Sequence, residues 1–121
     1  MFKIDGKNVF VCDEAEFSGV KKIAGKVCLD VERVTGKKPV VSASEAGAAG
    51  AVLFATLGQA PLAEKLASEN GLSAELSKIN GKREAYIFAV RADKIIIIGS
   101  DKRGTIYGLF HLSEQIGRAH V

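Results

Sequence analysis

The sequence predicts an α/β domain of α+β-like character, a mixed β-sheet with helices packed on it, in the order β-β-α-β-β-α-β-β-α. Three observations carry this. Four consecutive isoleucines, Ile95 to Ile98, read as a strand buried on both faces. Immediately before them, Arg83 to Ala92 alternates, with Tyr86, Phe88 and Val90 on one side and Ala85, Ile87 and Ala89 on the other, so the two strands pair as an antiparallel hairpin. Before that hairpin, helical and extended patterns alternate, and a hairpin appended to such a chain argues for a mixed sheet.

Taken in order, Phe2-Lys3-Ile4 and Val9-Phe10-Val11 flank Asp5-Gly6-Lys7-Asn8, a hairpin signal between two short strands. A long helix follows over about Glu16 to Thr35. Phe17, Val20, Ala24, Val27, Val31 and Val34 form its apolar stripe, Gly36 caps its end and Pro39 blocks continuation. Valines are mediocre helix formers, so tertiary packing must hold it. Pro39 to Ser42 is a short strand, and Ala43 to Gly50 an Ala- and Gly-rich loop that matches neither a phosphate loop nor a dinucleotide fingerprint. Ala51 to Thr56 is a further buried strand. Leu57 to Ala60 turns into a helix at Pro61, a favoured first helical position, which ends near Asn70-Gly71. A short segment, Ser73 to Ile79, closes at Asn80-Gly81. After the isoleucine strand, Gly99-Ser100 and the charged turn Asp101-Lys102-Arg103-Gly104 lead to a helix over about Thr105 to Gln115, with Gly117 as its stop.

Composition is ordinary for a globular chain: 121 residues, 47% hydrophobic and 26% charged. One domain is expected. No apolar run is long enough for a membrane span, and the N-terminus lacks a signal-peptide pattern. The net charge of +3 is spread over helix faces and turns without aromatic interleaving, which does not favour a nucleic-acid surface. Cys12 and Cys28 are neither CxxC-spaced nor accompanied by histidines at ligand spacing. They read as buried small hydrophobes, with a strand-to-helix disulfide left open. No metal and no cofactor are expected.

Gly99-Ser100-Asp101-Lys102-Arg103-Gly104-Thr105-Ile106-Tyr107-Gly108, followed by Leu112-Ser113-Glu114-Gln115-Ile116-Gly117, resembles the N-terminal domain of family 115 glycoside hydrolases, the xylan α-glucuronidases. Ala55-Thr56-Leu57-Gly58-Gln59-Ala60-Pro61-Leu62 and Asn80-Gly81-Lys82-Arg83-Glu84 are similar to two further stretches of that domain. A looser version of the long motif precedes the barrels of family 20 and family 67 glycosidases. The resemblance implies a small α/β domain spanning 1–117 that precedes a catalytic (β/α)8 barrel, its partner in the same parent chain. It further implies xylan or a uronic acid as ligand and a periplasmic or secreted location. Residues 118–121 depart from the family's continuation, and the expectation is an accessory domain without the carboxylates that glycoside hydrolysis needs.

Lys102 and Arg103 are candidates to hold a uronate carboxylate, for which arginine's planar fork is suited. The competing readings are a turn in which Asp101 caps the helix and the cations stay in water, or a contact with the barrel. On the last helix, Ile106, Leu109, Phe110, Leu112 and Ile116 make the apolar face, while Gly104, Gly108 and Gln115 lie opposite with Tyr107 and His111 beside them. Glycine inside a helix costs up to about 1 kcal/mol relative to alanine, so Gly108 has a reason to be there. With Asp101, these residues are expected to form the interdomain contact; the alternative is that Gly108 packs near a neighbouring loop. Ser100 and Ser113 have no partner base nearby in sequence, so a nucleophilic triad is not supported. Two other functions stay open at this stage: a stand-alone module binding carbohydrate or a small anion, and a Rossmann-like nucleotide enzyme, which an all-parallel sheet would favour.

Overall fold

The computed structural model describes residues 8–43, 50–91 and 94–119. The elements are β1 (Val9–Val11), α1 (Ser18–Thr35), β2 (Val40–Ser42), β3 (Val52–Thr56), α2 (Leu62–Glu69), α3 (Ser73–Ile79), β4 (Tyr86–Arg91), β5 (Lys94–Gly99) and α4 (Lys102–Ala119). They build one five-stranded sheet in the order β2-β1-β3-β5-β4. β1 pairs in parallel with β2 and β3, β3 in parallel with β5, and β4 antiparallel to β5. The sheet is therefore mixed, as the hairpin pattern predicts. The strand expected at Phe2 to Ile4 and most of the loop after Ala43 lie outside the described residues.

The isoleucine run explains the two-layer core. Side chains alternate across a strand, and Ile95 and Ile97 enter one cluster while Ile96 and Ile98 enter the other. On the first face they meet Phe10 and Phe54, with Val20, Val27 and Val31 of α1 and Leu109 and Leu112 of α4 above them. On the second they meet Val11 and Leu53 under Ala63 and Leu66 of α2 and Ile79 of α3. All four isoleucines are at most 5% exposed, and burying each is worth about 1.5–3 kcal/mol.

Helix α1 ends as its sequence indicates, with Gly36 left-handed at φ 81° and its N–H on Glu32 O. Its buried stripe is displaced from the predicted one. Cys28 is fully buried, whereas Val34 is 36% exposed. The helix also starts after Glu16, which turns into the interior.

Helix α4 corrects three expectations. It begins at Lys102 and does not stop at Gly117 but runs on to Ala119. Phe110, assigned to the apolar face, is 48% exposed. Gly104 and Gly108, placed on a face turned away from the core, are buried against the hairpin. A Cβ on Gly104 would overlap the carbonyl oxygen of Ala85, and one on Gly108 would overlap the Ile97 Cγ2 methyl and lie 3.3 Å from Cδ2 of Tyr86. Gly99 faces the same constraint from the Thr105 backbone. The buried row is thus Gly104, Thr105, Gly108, Leu109, Leu112 and Ile116, a helical stripe whose glycines let the helix backbone sit down on β4 and β5.

This geometry gives helical glycines opposite signs on substitution. Gly104→Ala, forced against the Ala85 carbonyl, should lower stability by roughly 2–3 kcal/mol. Gly117→Ala, with open space around the added carbon, should raise it by about 0.5–1 kcal/mol. Urea unfolding of the two variants checks both signs.

Candidate functional site

The turn between β5 and α4 is polar, and its residues are largely committed to one another. Asp101 caps α4: its Oδ1 accepts the Gly104 N–H at 2.8 Å, and its carbonyl oxygen accepts the Thr105 N–H at 3.1 Å. Its Oδ2 accepts the N–H of Glu84 at 3.0 Å. The N–H of Glu84 and then that of Gly104 hold the Asp101 carboxyl below its ordinary value of 3.8, with Arg103 adding to the effect. Glu84 is the one non-glycine residue with positive φ among those described, at 56°, a conformation that costs on the order of 1–2 kcal/mol. Asp101 pins its amide, and Arg103 Nη1 binds its Oε1 at 3.0 Å. Ser100 completes the junction, its Oγ accepting the Ala85 N–H at 3.0 Å and its own N–H donating to Ala85 O at 2.8 Å.

The two candidate carboxylate binders therefore differ. Arg103 is ion-paired with Glu84. Lys102 lies against α1, its ammonium 6.0 Å from the Phe17 ring centre and its side chain over Gly19. The two do not converge on a common point. Among the other singled-out residues, Tyr107 is 42% exposed and Gln115 is exposed. His111 is half-buried on the β4 side, where its Nδ1 is 3.2 Å from Tyr86 Oη and its ring stacks on Phe88 at 4.1 Å. Ser113 donates to Asp30 Oδ2 of α1 at 2.5 Å, tying the two helices of one face together.

A cluster invisible in the sequence lies beside the turn. Glu16 is 4% exposed, Thr56 1% and Thr105 fully buried. Glu16 Oε1 accepts the Thr56 N–H at 2.7 Å, and its Oε2 accepts the Thr56 hydroxyl at 2.8 Å and the Phe17 N–H at 2.9 Å. Because Thr56 spends its proton on the carboxylate, the Thr105 hydroxyl, 2.7 Å away, donates to Thr56. This chain joins the end of β3 to the starts of α1 and α4. The only sequence signals are a threonine closing an otherwise apolar strand and an acidic run after β1.

The carboxyl ends of β1 and β3 flank the point where strand order reverses, the usual ligand crevice of such sheets. Here the crevice holds Glu16 together with a cleft of about 410 Å³ bordered by Cys12, Asp13, Glu14, Leu62 and Lys65. Three carboxylates at that end are the opposite of what a nucleotide phosphate needs, and the sheet is mixed rather than all-parallel. Cys12 and Cys28 are free, buried thiols. Burial pushes both up, Cys28 to about 11. Among the described residues no group of three or more His, Cys, Asp or Glu is placed to hold a metal ion, and no helix is long and apolar enough to cross a membrane.

The Asp101 junction should show in acid. A carboxylate whose folded value is depressed contributes stability that is complete above its unfolded value and is lost as pH falls through the folded one. Asp101→Asn keeps a capping side chain but not the charge. The variant should therefore lose less stability than the parent chain as pH falls from about 4, read by urea unfolding at a series of pH values; parallel acid profiles would contradict this role.

No family model matches the sequence, and no curated protein matches it. Solved structures do. A family GH115 4-O-methyl-alpha-glucuronidase, BtGH115A, whose stated specificity is for decorated arabinogalactans, superposes with a TM-score of 0.74 and 25% sequence identity. The match covers 93% of this chain and 14% of that one. Over nearly its whole length the chain is thus similar to one segment of a much larger GH115 enzyme, which supports a glycoside-hydrolase-related domain.

Proposed function

We propose that this chain is a non-catalytic accessory domain of a GH115-like glycoside hydrolase, acting beside a (β/α)8 catalytic barrel of the same parent protein. The observation that carries the reading is the coverage: 93% of this chain answers to 14% of a GH115 α-glucuronidase, as a domain within a bigger protein would. The site geometry agrees. Hydrolysis of a glycosidic bond calls for two carboxyl groups facing one substrate position. The carboxylates beside the α4 turn instead cap a helix, pair with Arg103 or accept interior hydrogen bonds. The parent's reaction, release of glucuronic or 4-O-methylglucuronic acid from a decorated polysaccharide such as xylan, then belongs to the barrel.

In this reading the contact with the barrel uses the outer side of α4. Tyr107 and Phe110 stand 42% and 48% exposed there, with Gln115 and the half-buried His111 toward the β4 margin. Exposed aromatic side chains on one helix are the composition of an interface rather than of a solvated face. Gly104 and Gly108 take no part, since they face the domain's own sheet. Asp101 acts from within, by holding the start of α4.

Incubating the chain with glucuronoxylan and measuring released 4-O-methylglucuronic acid should give none, and clear turnover would sink the reading. Titrating glucuronic acid while following amide shifts should likewise leave Ser100 to Gly104 unmoved. Saturable shifts centred there would instead favour a module that binds uronate through Lys102.

A further inference from the structure

The sequence holds three asparagines, Asn8, Asn70 and Asn80, and the last two each precede a glycine. An asparagine before glycine is the pair most open to attack by the backbone on its own side chain, because glycine has no Cβ to crowd the attacking nitrogen. Asn8 is the least open: it precedes the branched Val9, is 3% exposed and donates its Nδ2 to Gly50 O at 2.8 Å.

The structure treats the two Asn-Gly pairs differently. Asn70 closes α2 and is half-buried. Its Nδ2 donates to Leu66 O at 2.8 Å and its N–H to the same carbonyl at 3.1 Å. Its own carbonyl oxygen accepts Arg91 Nε at 3.3 Å, and Leu72 N–H closes the next step on Ala67 O at 2.8 Å. Asn80 and Gly81 instead form the centre of a type II turn between α3 and β4, with Asn80 at φ −60° and ψ 126° and Gly81 at φ 81°. The turn is closed by one hydrogen bond, Lys82 N–H on Ile79 O at 3.0 Å. Both residues are exposed, and the space around Gly81 is open. Neither the Asn80 carboxamide nor the Gly81 N–H has a hydrogen-bond partner among the described residues.

We propose that Asn80 is a site of spontaneous covalent modification, deamidation through a cyclic imide. When the turn opens, rotation about ψ of Asn80 brings the Gly81 nitrogen onto the side-chain Cγ. The Gly81 N–H gives its proton to a solvent base as its nitrogen bonds to Cγ. The bond from Cγ to Nδ2 then breaks, and the side-chain nitrogen takes a proton from water and leaves as ammonia. The five-membered imide adds one water. Breaking its N–Cγ bond gives aspartate; breaking its bond to the main-chain carbonyl carbon gives isoaspartate, with the chain rerouted through the side chain. Solvent supplies the only co-reactant. Either product places a carboxylate at the carboxyl end of α3, against the helix dipole. Isoaspartate also adds one backbone carbon to the turn that leads to Glu84, whose N–H is held by Asp101.

Ageing the folded chain in warm, mildly alkaline buffer and digesting it with trypsin tests the proposal. Peptide 79–82 carries Asn80 and peptide 66–78 carries Asn70. Mass spectrometry should find the amide-to-acid conversion in 79–82 at least about tenfold faster than in 66–78, since Asn70 must first release its extra hydrogen bonds. Fragmentation that distinguishes the two isomers should find isoaspartate as well as aspartate. In urea, where both pairs are unfolded, the two rates should converge. Asn80→Gln should abolish conversion in 79–82 and leave 66–78 unchanged. Equal rates in the folded chain, faster conversion at Asn70, or no conversion at Asn80 while the urea-unfolded chain converts would each overturn the proposal. Aspartate formed without isoaspartate would overturn the imide route.

Discussion

Everything distinctive about this domain depends on how closely helix α4 approaches the β4–β5 hairpin. Gly99, Gly104 and Gly108 are the positions where a Cβ would collide with Thr105, Ala85 and Ile97. Without those carbons the helix backbone lies directly on the sheet. Thr105 then reaches the buried hydroxyl of Thr56, Asp101 reaches the amide of Glu84, and His111 stacks on Phe88. A helix one side chain further out would lose all three contacts. The left-handed Glu84 is a local cost of that seating, offset by the bonds from Asp101 and Arg103.

Local pattern carried most of the architecture. The isoleucine run, the alternation before it and the valine stripe of α1 each have a period that burial imposes, so the mixed sheet, its hairpin and the Gly36 end of α1 are readable without coordinates. The orientation of α4 is not readable in the same way. Its apolar side chains, Phe110 among them, average to a direction displaced from the true one, because glycine has no side chain to contribute although it marks the line of closest approach. The energetic oddity of Gly108 was visible; the partner it makes room for was not. Glu16, Thr56 and Thr105 are hidden for a different reason. They come together across separations of 40 and 49 residues, and nothing local distinguishes a carboxylate that turns inward from one that stays in water.

The charged turn after β5 looks chemical in sequence and is architectural in structure. Asp101 caps, Arg103 pairs and Ser100 splices β4 to β5, which leaves Lys102 as the least committed group. That division of labour fits the comparison with a GH115 α-glucuronidase, in which this fold is a small part of a long chain. The large apolar side chains left exposed on this half of the fold lie elsewhere, Tyr107 and Phe110 on α4 and Val90 on β4.

The most direct measurement of the central claim is a through-space NMR contact between the Gly108 Hα protons and the Ile97 Cγ2 methyl group, recorded on the chain at neutral pH. With α4 seated on its glycine row the cross-peak should be strong and accompanied by contacts from Gly108 to the Tyr86 ring. Absence of both, with Phe110 showing contacts to the sheet instead, would mean that the helix is rotated and that its glycines face outward after all.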